Sequence, residues 1–199
     1  MTQEAPRPQR TDASPLIAGI FVGGRAQRFG GFPKGLLAGP RGPSLVDALA
    51  EILGSLGIPC LLVGRHPAYA HCGLPSLDDA RVGIGPLGGL LALLEHAGSR
   101  DALALACDLP FVTPALVDRL ARAHPGSAAV APRREGRWEP LFARYSAFAA
   151  LPIARRRADD RVYSLQGLLD ELAAMPLRID VEETPLLDDW DCPEDLTRR

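Results

Sequence analysis

A glycine-rich loop with three basic residues directly follows the first apolar segment of the chain. It reads Gly23-Gly24-Arg25-Ala26-Gln27-Arg28-Phe29-Gly30-Gly31-Phe32-Pro33-Lys34. Residues 16–22 before it are apolar and rich in β-branched and aromatic side chains, which predicts a buried strand. Glycines let backbone N–H groups approach phosphate oxygens, and cationic side chains neutralise phosphate charge. The alternative is a plain connecting loop, but such a loop does not need three basic residues among its glycines. The composition therefore favours polyphosphate binding.

This loop differs from the two commonest phosphate-binding motifs. A Walker A loop ends in Gly-Lys followed by Ser or Thr, whereas here Pro33 precedes Lys34 and Gly35 follows it. The dinucleotide fingerprint needs glycine at its third position, where this loop has Arg25. A second run that matches G-x-G-x-x-G, at residues 83–88, has no predicted strand before it. We therefore expect no dinucleotide site there.

Asp108 follows another predicted strand, at residues 102–106. Ligands of parallel α/β sheets bind beyond the carboxyl ends of the strands, so this carboxylate is a candidate binding group. Mg²⁺ takes one or two carboxylates together with phosphate oxygens and water, which makes Asp108 a candidate magnesium ligand. The alternative is that the Asp108 side chain only caps the turn before Pro110.

Helices and strands alternate along the rest of the chain. Helices are predicted at residues 44–57, 87–97 and 162–174, from Thr113-Pro114 onward, and from Cys192 onward; strands are predicted at residues 60–63, 102–106, 128–131, 141–143 and 177–181. This alternation predicts an α/β fold with a mostly parallel sheet covered by helices on both faces, which is a three-layer α/β/α arrangement.

Length and composition fit one such domain. The chain has 199 residues, of which 47% are hydrophobic, and a formal net charge of −2. This near-neutral charge gives no sign of a nucleic-acid or membrane surface, so neither is expected as a partner. The four cysteines lie far apart without a C-x-x-C pair, which favours reduced thiols and a cytoplasmic location. Residues 1–15 contain three prolines and few apolar residues. We expect them to form a disordered tail before a single domain at residues 16–199.

The glycine loop resembles the signature of the small nucleotidyltransferases, Gly-Gly-x-x-x-Arg-(Phe/Met)-Gly-x-x-x-Lys. It is most similar to that of the molybdenum cofactor guanylyltransferases, which share the doubled glycine, here Gly30-Gly31, and the continuation Lys-Gly-Leu-Leu, here at residues 34–37. Cys107-Asp108-Leu109-Pro110 matches the family's Cys-Asp-x-Pro, which carries its metal-binding Asp. The family closes with Asn-Thr-Pro-Glu-Asp-Leu, and Asp191 takes the Asn position in a similar segment here.

The resemblance implies a Rossmann-like fold of the nucleotidyltransferase type. It also implies transfer of GMP from GTP to molybdopterin or Mo-molybdopterin, with release of pyrophosphate. Lys34 and Arg28 would stabilise the phosphates, and Asp108 and Asp191 would hold Mg²⁺. Molybdoenzymes or their chaperones would then receive the finished cofactor. The expected nucleotide-binding residues are Val22, Gly23, Gly24, Arg25, Arg28, Lys34, Arg65, Asp78, Gly85, Pro86 and Asp108.

Two further segments allow more than one interpretation. Asp78 has the family's offset before Gly-Pro-Leu-Ala-Gly, here residues 85–89, but Asp79 stands beside it. Residues 138–142, which read Trp-Glu-Pro-Leu-Phe, resemble the family's Pro-Leu-Phe segment near the second substrate. The alternative there is a strand entry with an exposed Trp138. We expect Asp188 and Asp189 to form a solvated acidic run.

Departures from the family pattern keep other functions open. Gly64 stands where the family often has Asn, and Pro33 where Asp commonly precedes the lysine. Since these changes bear on the choice of base, a molybdopterin cytidylyltransferase that uses CTP is one alternative, although the doubled-glycine loop favours GTP. A non-catalytic nucleotide-binding accessory protein is another, against which the presence of Lys34, Asp108 and Asp191 argues.

Overall fold

The computed structural model describes residues 16–23, 32–40 and 42–190. The strands of this part are β1 (Leu16–Phe21), β2 (Cys60–Val63), β3 (Ser76–Leu77), β4 (Asp101–Ala106), β5 (Ala129–Arg134), β6 (Arg137–Trp138), β7 (Phe142–Ser146) and β8 (Met175–Leu177). Its α-helices are α1 (Leu45–Ser55), α2 (Pro86–Ala97), α3 (Pro114–Arg122), α4 (Ala147–Asp159) and α5 (Leu165–Glu171). Short 3₁₀ helices span Lys34–Leu36, Pro67–Cys72 and Val181–Leu187. The predicted tail and the predicted helix from Cys192 lie outside the described residues.

The strands form one mixed, mostly parallel sheet in the order β3-β2-β1-β4-β7-β5-β6, with β8 paired to β5. The strands β3, β2, β1 and β4 are all parallel to one another. Strand β7 is antiparallel to both β4 and β5, so β5 runs in the same direction as β4. The carboxyl ends of β5 and β4 therefore lie at the same edge of the sheet, which is the edge where ligands of α/β folds bind.

Helices cover both faces of the sheet, as the alternating pattern predicts. Side chains of β1 alternate between the faces: Ile17 and Phe21 belong to the core beneath α2, α4 and α5, whereas Ala18 and Ile20 belong to the core beneath α1 and α3. Both cores consist of aliphatic and aromatic side chains that are almost completely buried. The α/β/α prediction is confirmed.

Polar caps fix where several helices begin. The Ser44 hydroxyl accepts a hydrogen bond from the Asp47 backbone N–H at 3.2 Å and donates one to the Asp47 carboxylate at 2.6 Å. Thr113 caps α3 by accepting from the backbone N–H of Leu116, and Pro114 occupies the first helical position. These contacts agree with the starts predicted from the sequence.

Several elements differ from the sequence predictions, among them the two-residue strands β3 and β6, which were not predicted. Helix α4 was not predicted, because its buried face consists of alanines and Pro152 lies inside it. The predicted helix at residues 162–174 is the shorter α5, which Ser164 caps through the Gly167 backbone N–H. The predicted strand at residues 177–181 is instead β8, because pairing with β5 ends at Leu177. No helix in the described part of the chain has the length and apolar character needed to cross a bilayer.

Candidate active site

The residues that follow the four parallel strands form a row along one edge of the sheet. Asp78 follows β3, Arg65 lies two residues beyond β2, Gly23 lies two beyond β1, and Asp108 lies two beyond β4. Helix α2 begins near this edge after Gly85, whose φ of +67° is a backbone conformation that suits glycine. The fold thus brings residues from four separate stretches of sequence to one place.

Most of the predicted site residues lie along this edge. The structure describes Val22, Gly23, Lys34, Arg65, Asp78, Gly85, Pro86 and Asp108. The other predicted site residues, Gly24, Arg25, Arg28 and Asp191, lie outside the described residues. Their roles stay predictions.

Lys34 and Asp108 form the central charged pair of the edge. The Lys34 Nζ lies 3.3 Å from Asp108 Oδ2, and the two side chains are 18% and 22% exposed. Burial raises the pKa of the Asp108 carboxyl, and the Lys34 ammonium opposes that rise. The pair is therefore shielded from bulk solvent yet still reachable, which suits groups that bind a charged substrate.

A buried glycine fixes the backbone beside Lys34. The backbone N–H of Gly35 donates to the Tyr69 hydroxyl at 3.1 Å, and both residues are buried. A Cβ at position 35 would lie 2.5 Å from Val46 Cγ2 and 2.9 Å from Tyr69 Oη, distances that no side chain tolerates. Only glycine lets the 3₁₀ turn that carries Lys34 sit this close to α1.

The start of the predicted phosphate loop rests on the turn after β2. Gly64 has a φ of +97°, and a Cβ there would lie 2.9 Å from the backbone nitrogen of Gly23. The backbone N–H of Val22 donates to the Val63 carbonyl at 3.0 Å, and the N–H of Gly64 donates to the Leu77 carbonyl at 2.9 Å. The ends of β1, β2 and β3 are thus joined backbone to backbone, which explains why this chain has glycine at position 64.

Arg65 and Asp78 face each other at the open end of the row. Arg65 Nε lies 2.9 Å from Asp78 Oδ1, and the side chains are 69% and 62% exposed. The neighbouring Asp79 packs instead against α2, with its Oδ1 3.3 Å from where a Cβ on Gly89 would be. Burial raises the pKa of the Asp79 carboxyl. Of the two acids, Asp78 is the one that pairs with Arg65, the arginine that follows β2.

Charged side chains that the family motifs do not include interact with Asp108 or with one another. Burial raises the pKa of Glu139, and the negative charge of Asp189 raises the pKa values of both Asp108 and Glu139. Asp188 and Asp189 are both exposed, as expected of a solvated acidic run, and Asp189 is close enough for its charge to act on Asp108 and Glu139. Arg134, at the end of β5, lies 2.6 Å from Asp188. The sequence around Arg134 gave no signal of a role in the site, because the contacts of Arg134 are formed only in the folded chain.

The Trp138 side chain is buried and contacts other side chains, rather than being exposed. Its side chain is 6% exposed and lies under the guanidinium of Arg133, 3.9 Å from the ring centroid. Its Nε1 donates to Asp170 at 2.8 Å. The interpretation of residues 138–142 as a strand entry with an exposed tryptophan is therefore wrong about the exposure of Trp138.

Asp108 could hold a divalent cation at this edge. Its carboxylate is a hard oxygen donor, and Mg²⁺ needs few protein ligands when phosphate oxygens and water complete its shell. Among the residues that the structure describes, no group of three or more His, Cys, Asp or Glu side chains is arranged to hold a metal. The donor set therefore fits a cation that a substrate helps to bind rather than a closed protein cage.

A mostly parallel sheet with a glycine loop after its first strand, and a lysine–carboxylate pair at its carboxyl edge, defines an α/β protein of the nucleotidyltransferase type. The model of the MobA-like NTP transferase domain matches residues 18–174. The chain belongs to this family.

Individual relatives agree with the family. A probable molybdenum cofactor guanylyltransferase of Chloroflexus aggregans is 33% identical over 147 residues, which are 70% of each chain. A molybdenum cofactor guanylyltransferase of Mesorhizobium japonicum is 40% identical over 137 residues, which are 64% of this chain and 65% of that protein. The matched part thus spans about two thirds of these relatives.

A solved structure shares the fold. Molybdopterin-guanine dinucleotide biosynthesis protein A of Archaeoglobus fulgidus superposes with a TM-score of 0.73 and 23% identity, over 91% of this chain and 95% of that one. A nucleotidyl transferase of Methanothermobacter superposes with a TM-score of 0.69 and 21% identity, over 92% and 94% of the two chains.

Proposed function

We propose that this protein transfers GMP from GTP to molybdopterin or Mo-molybdopterin, which forms the guanine dinucleotide cofactor and releases pyrophosphate. The observation that carries the proposal is the Lys34–Asp108 pair, held at 3.3 Å at the carboxyl edge of the sheet and beside the start of the glycine loop. The names of the relatives support the choice of GTP and molybdopterin as substrates.

The chemistry requires positioning and charge neutralisation rather than a nucleophile from the protein. An oxygen of the acceptor phosphate forms a bond to the α-phosphorus of GTP. The bond from that phosphorus to the oxygen bridging to the β-phosphate breaks, and pyrophosphate leaves with the electron pair. Every reacting group belongs to the substrates, so the protein has to hold two anions together.

Lys34 and Asp108 suit that task because their side chains carry opposite charges. The Lys34 ammonium would neutralise phosphate oxygens, a role that Arg28 shares in our proposal. The Asp108 carboxylate would hold Mg²⁺ together with Asp191. When bound, Mg²⁺ supplies further neutralisation of the charge on the phosphates. Before substrate binds, the pairing with Lys34 favours the ionised form of Asp108 that a cation needs.

The partners and location follow from this reaction. The acceptor site has to lie within reach of Asp108. We place the reaction in the cytoplasm, where GTP is available, and expect molybdoenzymes or their chaperones to take the product.

Pyrophosphate release tests the proposal. Purified protein with Mg²⁺ and molybdopterin would receive GTP, CTP, ATP or UTP in separate reactions. Turnover with GTP alone supports guanylyl transfer, whereas turnover with CTP alone would make the protein a cytidylyltransferase. Nucleotide binding without turnover for all four would indicate a non-catalytic role. Omitting molybdopterin is the control that separates transfer from hydrolysis.

A further inference from the structure

A segment near the end of the described chain links β5 to the active-site carboxylate. We call residues 181–190 the terminal strap; it begins with the 3₁₀ helix Val181–Leu187. Arg119 of α3 ties its start through two hydrogen bonds to the Glu183 carboxylate, at 2.9 and 2.7 Å. Such a paired arginine–carboxylate contact fixes orientation as well as distance.

Arg134 holds the middle of the terminal strap. Its Nη1 donates to the Leu187 carbonyl at 2.6 Å, and its Nη2 donates to the Asp188 carboxylate at 2.6 Å. One planar guanidinium therefore fixes the backbone of one strap residue and the side chain of the next. Lysine has a single ammonium and could not reproduce this fork.

The end of the terminal strap contacts Asp108 directly. The Trp190 backbone N–H donates to the Asp108 carbonyl at 3.0 Å. The Trp190 ring is 5% exposed and packs edge-on against Phe111, with ring centroids 6.2 Å apart. Arg134 is thus connected to the backbone of Asp108 through three consecutive residues of the strap and the hydrogen bond from Trp190.

We propose that Arg134 is a positioning residue, which acts through the terminal strap to hold Asp108 in its place opposite Lys34. The proposal rests on the proposed function, because it assigns the strap a part in that reaction. A displacement of about 1 Å at a catalytic group can cost on the order of 10² in rate. Loss of the Arg134 fork frees the strap at its midpoint and removes a constraint on Asp108.

The neighbouring Arg133 provides a matched control on the same strand. Since side chains of a strand alternate in direction, Arg133 lies on the opposite face, where it stacks on Trp138 and lies 3.4 Å from Asp170. It makes no hydrogen bond with the terminal strap among the described residues. Arg133→Gln therefore removes the same charge from the same strand without releasing the strap.

Tryptophan fluorescence reports the state of the terminal strap without any substrate. The chain has two tryptophans, so Trp138→Phe leaves Trp190 as the only one. In this background Arg134→Gln is expected to shift Trp190 emission to longer wavelength and to increase acrylamide quenching. Arg133→Gln is expected to leave both unchanged.

Activity and nucleotide affinity complete the test. Arg134→Gln is expected to lower kcat about 10- to 100-fold. The GTP dissociation constant should change by less than kcat, because Asp108 is the one residue among the described nucleotide-binding residues to which the terminal strap hydrogen-bonds. Arg134→Lys should recover only part of kcat. Asp188→Asn, which alters an exposed partner and leaves Arg134 in place, should lower kcat less than Arg134→Gln but in the same direction.

Three results would overturn the proposal. These are unchanged Trp190 emission in Arg134→Gln, a released Trp190 with parental kcat, and equal losses of kcat in the Arg133 and Arg134 variants. A parent protein that turns over none of the four nucleotides would contradict the proposed function as well. An active parent in which Arg134→Gln keeps full kcat would contradict the positioning role alone.

Discussion

The Lys34 ammonium lies 3.3 Å from the Asp108 carboxylate although 74 residues separate them in the chain. Strands β1 and β4 are neighbours and parallel, and Phe21 pairs with Ala106 at their ends. The segments that leave these two strands therefore start level with each other at the same edge. The site depends on this register, because it allows the turn after the glycine loop to face the strand-end carboxylate.

Removal of either member of this pair should abolish most turnover. Lys34→Ala and Asp108→Ala are each expected to lower kcat by about 10²–10³, because each removes an electrostatic contact to the reacting phosphates. The fold should remain, since both side chains lie at the rim of the core. Pyrophosphate release measures the first effect, and circular dichroism with thermal melting checks the second. Near-parental turnover in either folded variant would contradict the mechanism.

Lys34 is the only lysine in the sequence, which allows it to be labelled selectively. Acetylation with an amine-reactive ester should modify one side chain, apart from the N-terminal amine, and should inactivate the protein because it removes the ammonium charge. GTP with Mg²⁺ is expected to slow the labelling of Lys34, as mass spectrometry of the peptides would measure. The Lys34→Arg variant is the control that carries no side-chain label. Equal labelling rates with and without GTP would show that the nucleotide does not cover Lys34.

The ionisation of Asp108 should make the unfolding free energy depend on pH. Burial raises its folded-state pKa above the ordinary value of 3.8, against the opposing effect of Lys34. The folded state therefore binds more protons between the unfolded and folded pKa values, and Asp108 lowers stability as the pH rises through that window. Asp108→Asn is expected to remove this loss.

Urea unfolding at a series of pH values measures this effect. The stability of Asp108→Asn relative to the parent should increase as the pH rises from 3.8 and then level off above the folded pKa. In Lys34→Ala, a carboxyl NMR titration should find the Asp108 pKa higher than in the parent, since the ammonium that lowers it is gone. A stability difference that falls with rising pH, or an unchanged pKa in Lys34→Ala, would be inconsistent with this electrostatic account.

Gly35 should tolerate no side chain. In Gly35→Ala the new Cβ would meet Val46 and Tyr69 at 2.5 and 2.9 Å, so the turn that carries Lys34 has to move. We expect kcat/KM to fall about 10²-fold with a lower melting temperature. Gly54→Ala is the matched control, because a Cβ there meets nothing within 4 Å and alanine favours the helix. Equal behaviour of the two variants would argue against a role for the tight packing at Gly35.

The parts of the fold with strong local signals could be predicted from the sequence. Helices α1 and α3 have polar caps followed by apolar residues at helical spacing, and their starts agree with the structure. Helix α4 lacks such a signal, because its buried positions are alanines whereas the large apolar side chain of Phe148 is exposed. A strand was predicted at residues 141–143, where β7 lies, but its antiparallel direction could not be predicted because direction depends on pairing across the sheet.

The residues of the candidate site also differ in whether they could be predicted from the sequence. Lys34 and Asp108 lie in motifs that are local in sequence, so their selection needed no fold. Arg134 contacts the terminal strap, and Trp190 at the end of the strap hydrogen-bonds to Asp108; both contacts join residues that are far apart in the sequence. Lys34 is also the only lysine in the sequence, a feature that is independent of the loop motif.

The most direct test of the account is the mass of the acceptor after a competition reaction. Molybdopterin, Mg²⁺ and equal amounts of GTP, CTP, ATP and UTP would be incubated with the parent protein and, in parallel, with Asp108→Ala. The account predicts that the parent adds one GMP to the acceptor and that the variant leaves it almost unmodified. An acceptor that gains CMP, or one that the parent leaves unchanged while it binds GTP, would contradict guanylyl transfer at this site.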